Sequence, residues 1–127
     1  MLLVDDTLDQ LDMYEMALEA RYRVLRASRG REAFAVARHQ QPDVIVLDVM
    51  MPDVNGVTLC QQLKATLSTA GIPVLLLTAH SSPLIEAHGL EVGAATVLKK
   101  PCTPDKLMLA IDEALREHSP GSHGGDH

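Results

Sequence analysis

Short apolar runs alternating with stretches of helical spacing constrain this chain more than any other feature. Val44-Ile45-Val46-Leu47 has no polar break and stops at Asp48, with Gln41-Pro42-Asp43 before it and Pro52-Asp53-Val54-Asn55-Gly56 after it. A run of this kind, bounded by turn residues, reads as a strand buried on both faces, and therefore as part of a parallel sheet. Met1-Leu2-Leu3-Val4 ends the same way at Asp5-Asp6, and Pro73-Val74-Leu75-Leu76-Leu77 ends at Thr78-Ala79. Residues Arg23 to Ala27 form a further candidate, and Thr96-Val97-Leu98 runs into Lys99-Lys100-Pro101.

The stretches between these runs carry helical stripes. Thr7 is placed to cap a first helix whose inner face holds Leu8, Leu11, Tyr14 and Leu18. Gly30 opens a second helix with Ala33, Val36 and Ala37 inward. Thr58 to Leu67 reads as a third, with Cys60, Leu63 and Leu67 toward the core, and Pro83 to Val92 as a fourth, with Pro83 in its first turn. Thr103 can cap a fifth, running to Glu117 with Leu107, Ala110, Ile111 and Ala114 inward. Met13, Met16 and Met108 read as core filler, and His39, His88 and His118 as exposed helix residues. Five β/α units in strict alternation predict an α/β fold with a doubly wound, five-stranded parallel sheet and right-handed crossovers. Residues 1–117 make the domain, while 118–127, with no apolar period, read as a flexible tail or linker.

Composition narrows the function. A chain of 127 residues that is 46% hydrophobic is one domain with its own core. A formal net charge of −6 argues against direct nucleic-acid binding, and with Phe34, Tyr14 and Tyr22 as its few aromatics and no Trp the chain lacks base-stacking platforms. No apolar stretch reaches membrane-spanning length, and no basic segment precedes an apolar one as in a signal peptide. Cys60 and Cys102 are too few for a disulfide framework or a zinc site, which fits a cytoplasmic protein.

The chemistry follows from what stops the strands. Asp5 and Asp6 end the first, Asp48 the third, Thr78 the fourth and Lys100 the fifth, all on one edge of the sheet. Open α/β sheets place their sites at that edge. Two carboxylates about 5 Å apart repel by roughly 3 kcal/mol at an effective dielectric near 20. A divalent cation relieves this, and an all-oxygen site with room for water suits Mg²⁺. The hydroxyl of Thr78 and the ammonium of Lys100 suit an anion instead. Together these groups suit the placing of a phosphoryl group on a carboxylate.

Over residues 1 to about 117 the chain resembles the receiver domains of two-component response regulators. The matching pieces are Val4-Asp5-Asp6, the segment Leu47-Asp48-Val49-Met50-Met51-Pro52-Asp53-Val54-Asn55-Gly56, then Leu77-Thr78-Ala79, Gly93-Ala94 and Lys100-Pro101. Each is weak alone, and all of them in order at strand ends are specific. The resemblance implies a flavodoxin-like sheet of order 2-1-3-4-5 and Asp48 as phosphoacceptor. It implies Asp6 as a direct Mg²⁺ ligand, Asp5 acting mainly through water, and the main-chain carbonyl of Met50 as another ligand. It implies Thr78 and Lys100 contacting the phosphoryl group, and a cis Lys100-Pro101 peptide. The implied partners are a sensor histidine kinase or phosphotransfer protein, and an output domain or protein that binds the face of helix 4, strand 5 and helix 5. Met50 and His80, two residues after Asp48 and Thr78, would flank an attacking water. Three departures stand out: Val97 and Cys102 replace residues that are commonly aromatic, and the first strand begins almost at the first residue.

Other classes fit less well. A metal-dependent phosphohydrolase with an aspartyl-phosphate would place nucleophile and acid two residues apart after the first strand, where this chain has adjacent Asp5 and Asp6. A flavin or nucleotide binder would need a Gly-rich loop there. A receiver-like module that only binds partners would not need the full set of strand-end groups.

Overall fold

The computed structural model describes residues 1–79 and 82–118. Its strands are β1 (Leu2–Val4), β2 (Leu25–Ala27), β3 (Ile45–Asp48), β4 (Val74–Thr78) and β5 (Thr96–Lys99). Its helices are α1 (Leu8–Leu18), α2 (Gly30–Gln40), α3 (Gly56–Ala65), α4 (Pro83–Glu91) and α5 (Pro104–His118), in strict alternation with the strands. All strand pairs are parallel, in the order β2-β1-β3-β4-β5. This is the α/β fold expected from the sequence pattern and the strand order implied by the receiver-domain resemblance.

Period-two alternation divides the core between the two faces. Leu2, Val4, Ile45, Leu47, Val74 and Leu76 face the side covered by α2 and α3. Leu3, Val44, Val46, Leu75 and Leu77 face α1 and α5. Both faces of the central strands are therefore dry, and each fully buried leucine contributes about 1.5–3 kcal/mol. On the first face α4 lies so close that a Cβ on Gly89 would stand 2.8 Å from Val97 Cγ2 and 3.0 Å from Leu76 Cδ1. The close approach of helix and sheet requires glycine there.

Several inward assignments are corrected. Leu8, the first residue of α1, is 62% exposed. Met13 and Met16 are also exposed, on the side of α1 away from buried Leu11, Tyr14 and Leu18; Met108 does pack on the core. Thr7 occupies the N-cap position without a side-chain cap bond, and its own N–H donates to Asp5 Oδ1 at 2.9 Å. The third helix starts earlier than expected, because the Asn55 side chain caps it by accepting from Val57 N–H at 2.8 Å. It ends at Ala65, so Leu67 falls outside the helical phase and is 97% exposed. Thr69 takes the buried position instead, its hydroxyl donating to Leu63 O at 2.6 Å. Thr103 caps α5 as expected, accepting from Lys106 N–H at 3.3 Å. His39 and His88 are exposed as expected. The tail from 119 on, with His123 and His127, lies outside the described residues, as do His80 and Ser81.

Candidate functional site

Register and strand length bring the strand-end groups together. β1 and β3 pair from Leu2–Ile45 to Val4–Leu47, so Asp5 and Asp48 follow at the same level on neighbouring strands. Both carboxylates are buried, at 1% and 5% exposure, while Asp6 is exposed. Asp5, Asp6 and Asp48 each offer a carboxylate oxygen, and these atoms lie within 4.8 Å of one another. Thr78, at the end of β4, is 1% exposed, and its carbonyl accepts from Lys100 N–H at 2.8 Å. That bond fixes the start of the turn carrying the Lys100 side chain. The Lys100–Pro101 peptide is cis.

Lys100 reaches across the pocket from the far edge of the sheet. Its ammonium lies 3.2 Å from Asp5 Oδ2 and 3.4 Å from Asp48 Oδ2. Its shortest bond, 2.7 Å, goes to Gln10 Oε1 in the first turn of α1. The sequence did not single out Gln10, since nothing in local spacing links it to a lysine 90 positions away. Tyr14 is likewise more than the apolar stripe residue it resembles. Its hydroxyl donates to Cys102 O at 2.7 Å, tying the turn after Lys100 to α1.

Electrostatics follow from burial. Desolvation raises the Asp48 carboxyl above its usual range; the Lys100 ammonium opposes this, and the Asp5 charge adds to it. The Met50 N–H, donating to Asp48 Oδ1 at 3.3 Å, stabilises the charged form only weakly. Met50 itself is 55% exposed at the rim. An all-oxygen set with buried and solvent-facing members, under mutual repulsion, fits a hard divalent cation that keeps part of its water.

A parallel sheet of order 2-1-3-4-5 with carboxylates and a lysine gathered at its carboxyl edge defines the class: a flavodoxin-like α/β signalling domain of the chemotaxis-receiver type. Residues 1–112 match the response regulator receiver domain family, and the chain belongs to it. It is 38% identical over 121 residues to the phosphate regulon transcriptional regulatory protein PhoB of Pseudomonas aeruginosa, covering 94% of this chain and 53% of that protein. It is 36% identical to the alkaline phosphatase synthesis transcriptional regulatory protein PhoP of Bacillus subtilis, covering 91% of this chain and 48% of that one. The chain thus spans about half the length of these curated relatives. Among solved structures, a putative response regulator from Chloroflexus aurantiacus superposes with a TM-score of 0.84 at 35% identity, covering 90% of this chain and 94% of that one. The chemotaxis protein CheY4 of Vibrio cholerae superposes with a TM-score of 0.84 at 34% identity, covering 89% and 95%. Receiver domains of this family generally bind Mg²⁺ at an acidic pocket, and in this chain Asp5, Asp6 and Asp48 form an acidic cluster. Among the described residues no helix is long and apolar enough to cross a membrane.

Proposed function

We propose that this receiver domain accepts a phosphoryl group on Asp48 from the phosphohistidine of a sensor histidine kinase or phosphotransfer protein. The observation that carries this is the placement of buried Asp48 against two further carboxylates and the Lys100 ammonium at 3.4 Å. An Asp48 oxygen attacks phosphorus, the phosphorus–nitrogen bond breaks, and the imidazole leaves with the bonding pair and takes a proton. Mg²⁺, held by Asp5, Asp6, Asp48 and the Met50 carbonyl, would supply charge neutralisation for the incoming phosphoryl oxygens. Lys100 would shift from sharing its ammonium among Asp5, Asp48 and Gln10 to pairing with a phosphoryl oxygen. The Thr78 hydroxyl would donate to another.

The output would be a changed partner surface on α4, β5 and α5, read by an output domain or a separate protein. Val97 occupies the β5 position where the family commonly has an aromatic switch residue, and a β-branched side chain has one stiff χ1 and no ring to swing. The response is therefore expected at Ala79 and the start of α4 rather than on β5, readable as amide shifts with and without a phosphoryl mimic. The test of the chemistry is intact mass after incubation with a small acyl phosphate. With Mg²⁺ the mass should rise by one phosphoryl group; with EDTA, or in Asp48→Asn, it should not. Equal labelling of Asp48→Asn would place the acceptor elsewhere.

A further inference from the structure

The segment 49–55 carries Met50 from β3 to α3, and its two ends are fixed within itself. Gly56 N–H donates to Val49 O at 2.8 Å, and a Cβ on Gly56 would stand 2.4 Å from Asp48 O, so the loop closes back tightly onto the phosphoacceptor's own main chain. The crest of the loop is fastened to a different element. Asp53 Oδ1 accepts from Gly30 N–H at 3.0 Å and Asp53 Oδ2 from Arg31 N–H at 3.2 Å, the first two residues of α2. A neighbouring residue makes a second contact there. Val54 lies so near Gly30 that a Cβ on Gly30 would fall 1.9 Å from Val54 Cγ1. The helix end adds its own partial positive charge to the two N–H groups, and the Asp53 carboxyl is held below its usual range, first by Gly30 N–H.

We infer that Asp53 is a positioning residue for the acidic pocket, pinning the β3–α3 loop to the N-terminus of α2 and so holding the Met50 main chain beside Asp48. The inference rests on the reading of the pocket as a Mg²⁺ site with the Met50 carbonyl among its ligands. Met50 N–H reaches Asp48 Oδ1 only at 3.3 Å, too long to orient the peptide alone. Orientation then comes from the loop's two ends and from the Asp53 clamp between them. Groups that orient metal ligands typically alter metal affinity when removed, even without touching the ion.

The test is calorimetric titration of MgCl₂ into the full 127-residue chain, with thermal unfolding measured in parallel. Four proteins are compared: wild type, Asp53→Ala, Asp53→Asn and Glu32→Ala. Glu32 serves as control because it accepts from Ser28 N–H at 3.0 Å at the same helix end, carries the same charge, and makes no bond to the loop. Asp53→Ala should weaken Mg²⁺ binding about tenfold. Asp53→Asn, which keeps one acceptor oxygen, should fall between it and wild type. Glu32→Ala should lower Tm while leaving Mg²⁺ affinity intact. Equal affinity of wild type and Asp53→Ala would overturn the inference. So would equal weakening by Glu32→Ala, which would assign the effect to net charge or helix stability. Wild type showing no Mg²⁺ binding would instead overturn the reading of the pocket itself.

Discussion

Asp48→Asn should make the metal-free protein more stable, although it removes the group on which the proposed chemistry depends. Carboxylate oxygens of Asp5, Asp6 and Asp48 lie within 4.8 Å, where each like-charge pair costs about 3.5 kcal/mol at an effective dielectric near 20. Asp48 takes part in two such pairs, a cost of about 7 kcal/mol on the same footing. Its attraction to Lys100 at 3.4 Å offsets about 5 kcal/mol. Solvent at exposed Asp6 screens part of the repulsion, and desolvation of buried Asp48 adds a cost of its own. The neutral isostere should therefore gain about 1–2 kcal/mol, roughly 4–8 °C in Tm for a domain of this size.

The pH dependence has a definite sign. Burial raises the folded-state carboxyl of Asp48 above its unfolded value, so wild-type stability from this group is fully present below the unfolded value and is lost as pH rises through the folded one. The advantage of Asp48→Asn should thus vanish on acidification through the carboxylate range and level off above the raised value. Mg²⁺ should close the gap at neutral pH, since ligand at 100 times its Kd adds about 2.7 kcal/mol to the form that binds it. Thermal unfolding in EDTA and in Mg²⁺ across this pH range is the assay. A Tm for Asp48→Asn below wild type in EDTA at pH 7, or a gap indifferent to pH, would refute the reasoning.

Three further outcomes can be checked. Met50→Asn and Met50→Ala should change the rate of aspartyl-phosphate loss more than Mg²⁺ affinity, because the half-exposed side chain stands at the rim while the backbone remains; identical decay in all three proteins would make Met50 a bystander. Lys64→Met should cost about 1–3 kcal/mol in urea unfolding, because the ammonium donates to Ala70 O at 3.2 Å and Ile72 O at 2.6 Å where α3 meets the turn into β4. Gly89→Ala gains about 1 kcal/mol of helix propensity but drives a Cβ to 2.8 Å from Val97 Cγ2, an overpacking cost of about 1–3 kcal/mol, so the net should be a lower urea midpoint.

The architecture was legible because it depends on local pattern. Short unbroken runs such as Val44 to Leu47, bounded by turn residues, read as strands dry on both faces, and their alternation with helical stripes leaves few topologies. The pocket was legible for the same reason, since polar residues that stop parallel strands must gather at one edge. Side-chain destinations were less so. Leu8 and Leu67 have the right residue type for the core but sit at the first residue of one helix and beyond the end of another. Helix ends turn on caps such as Asn55, which decide by a single hydrogen bond. The long-range partners were invisible: Gln10 to Lys100, Tyr14 to Cys102, and Asp53 to the first turn of α2 join positions 90, 88 and 23 residues apart. Sequence alone determined which groups reach the carboxyl edge, because strand period and strand ends are local. Only the tertiary structure decided which neighbour each group bonds there, because that depends on how α1 and α2 pack against the sheet.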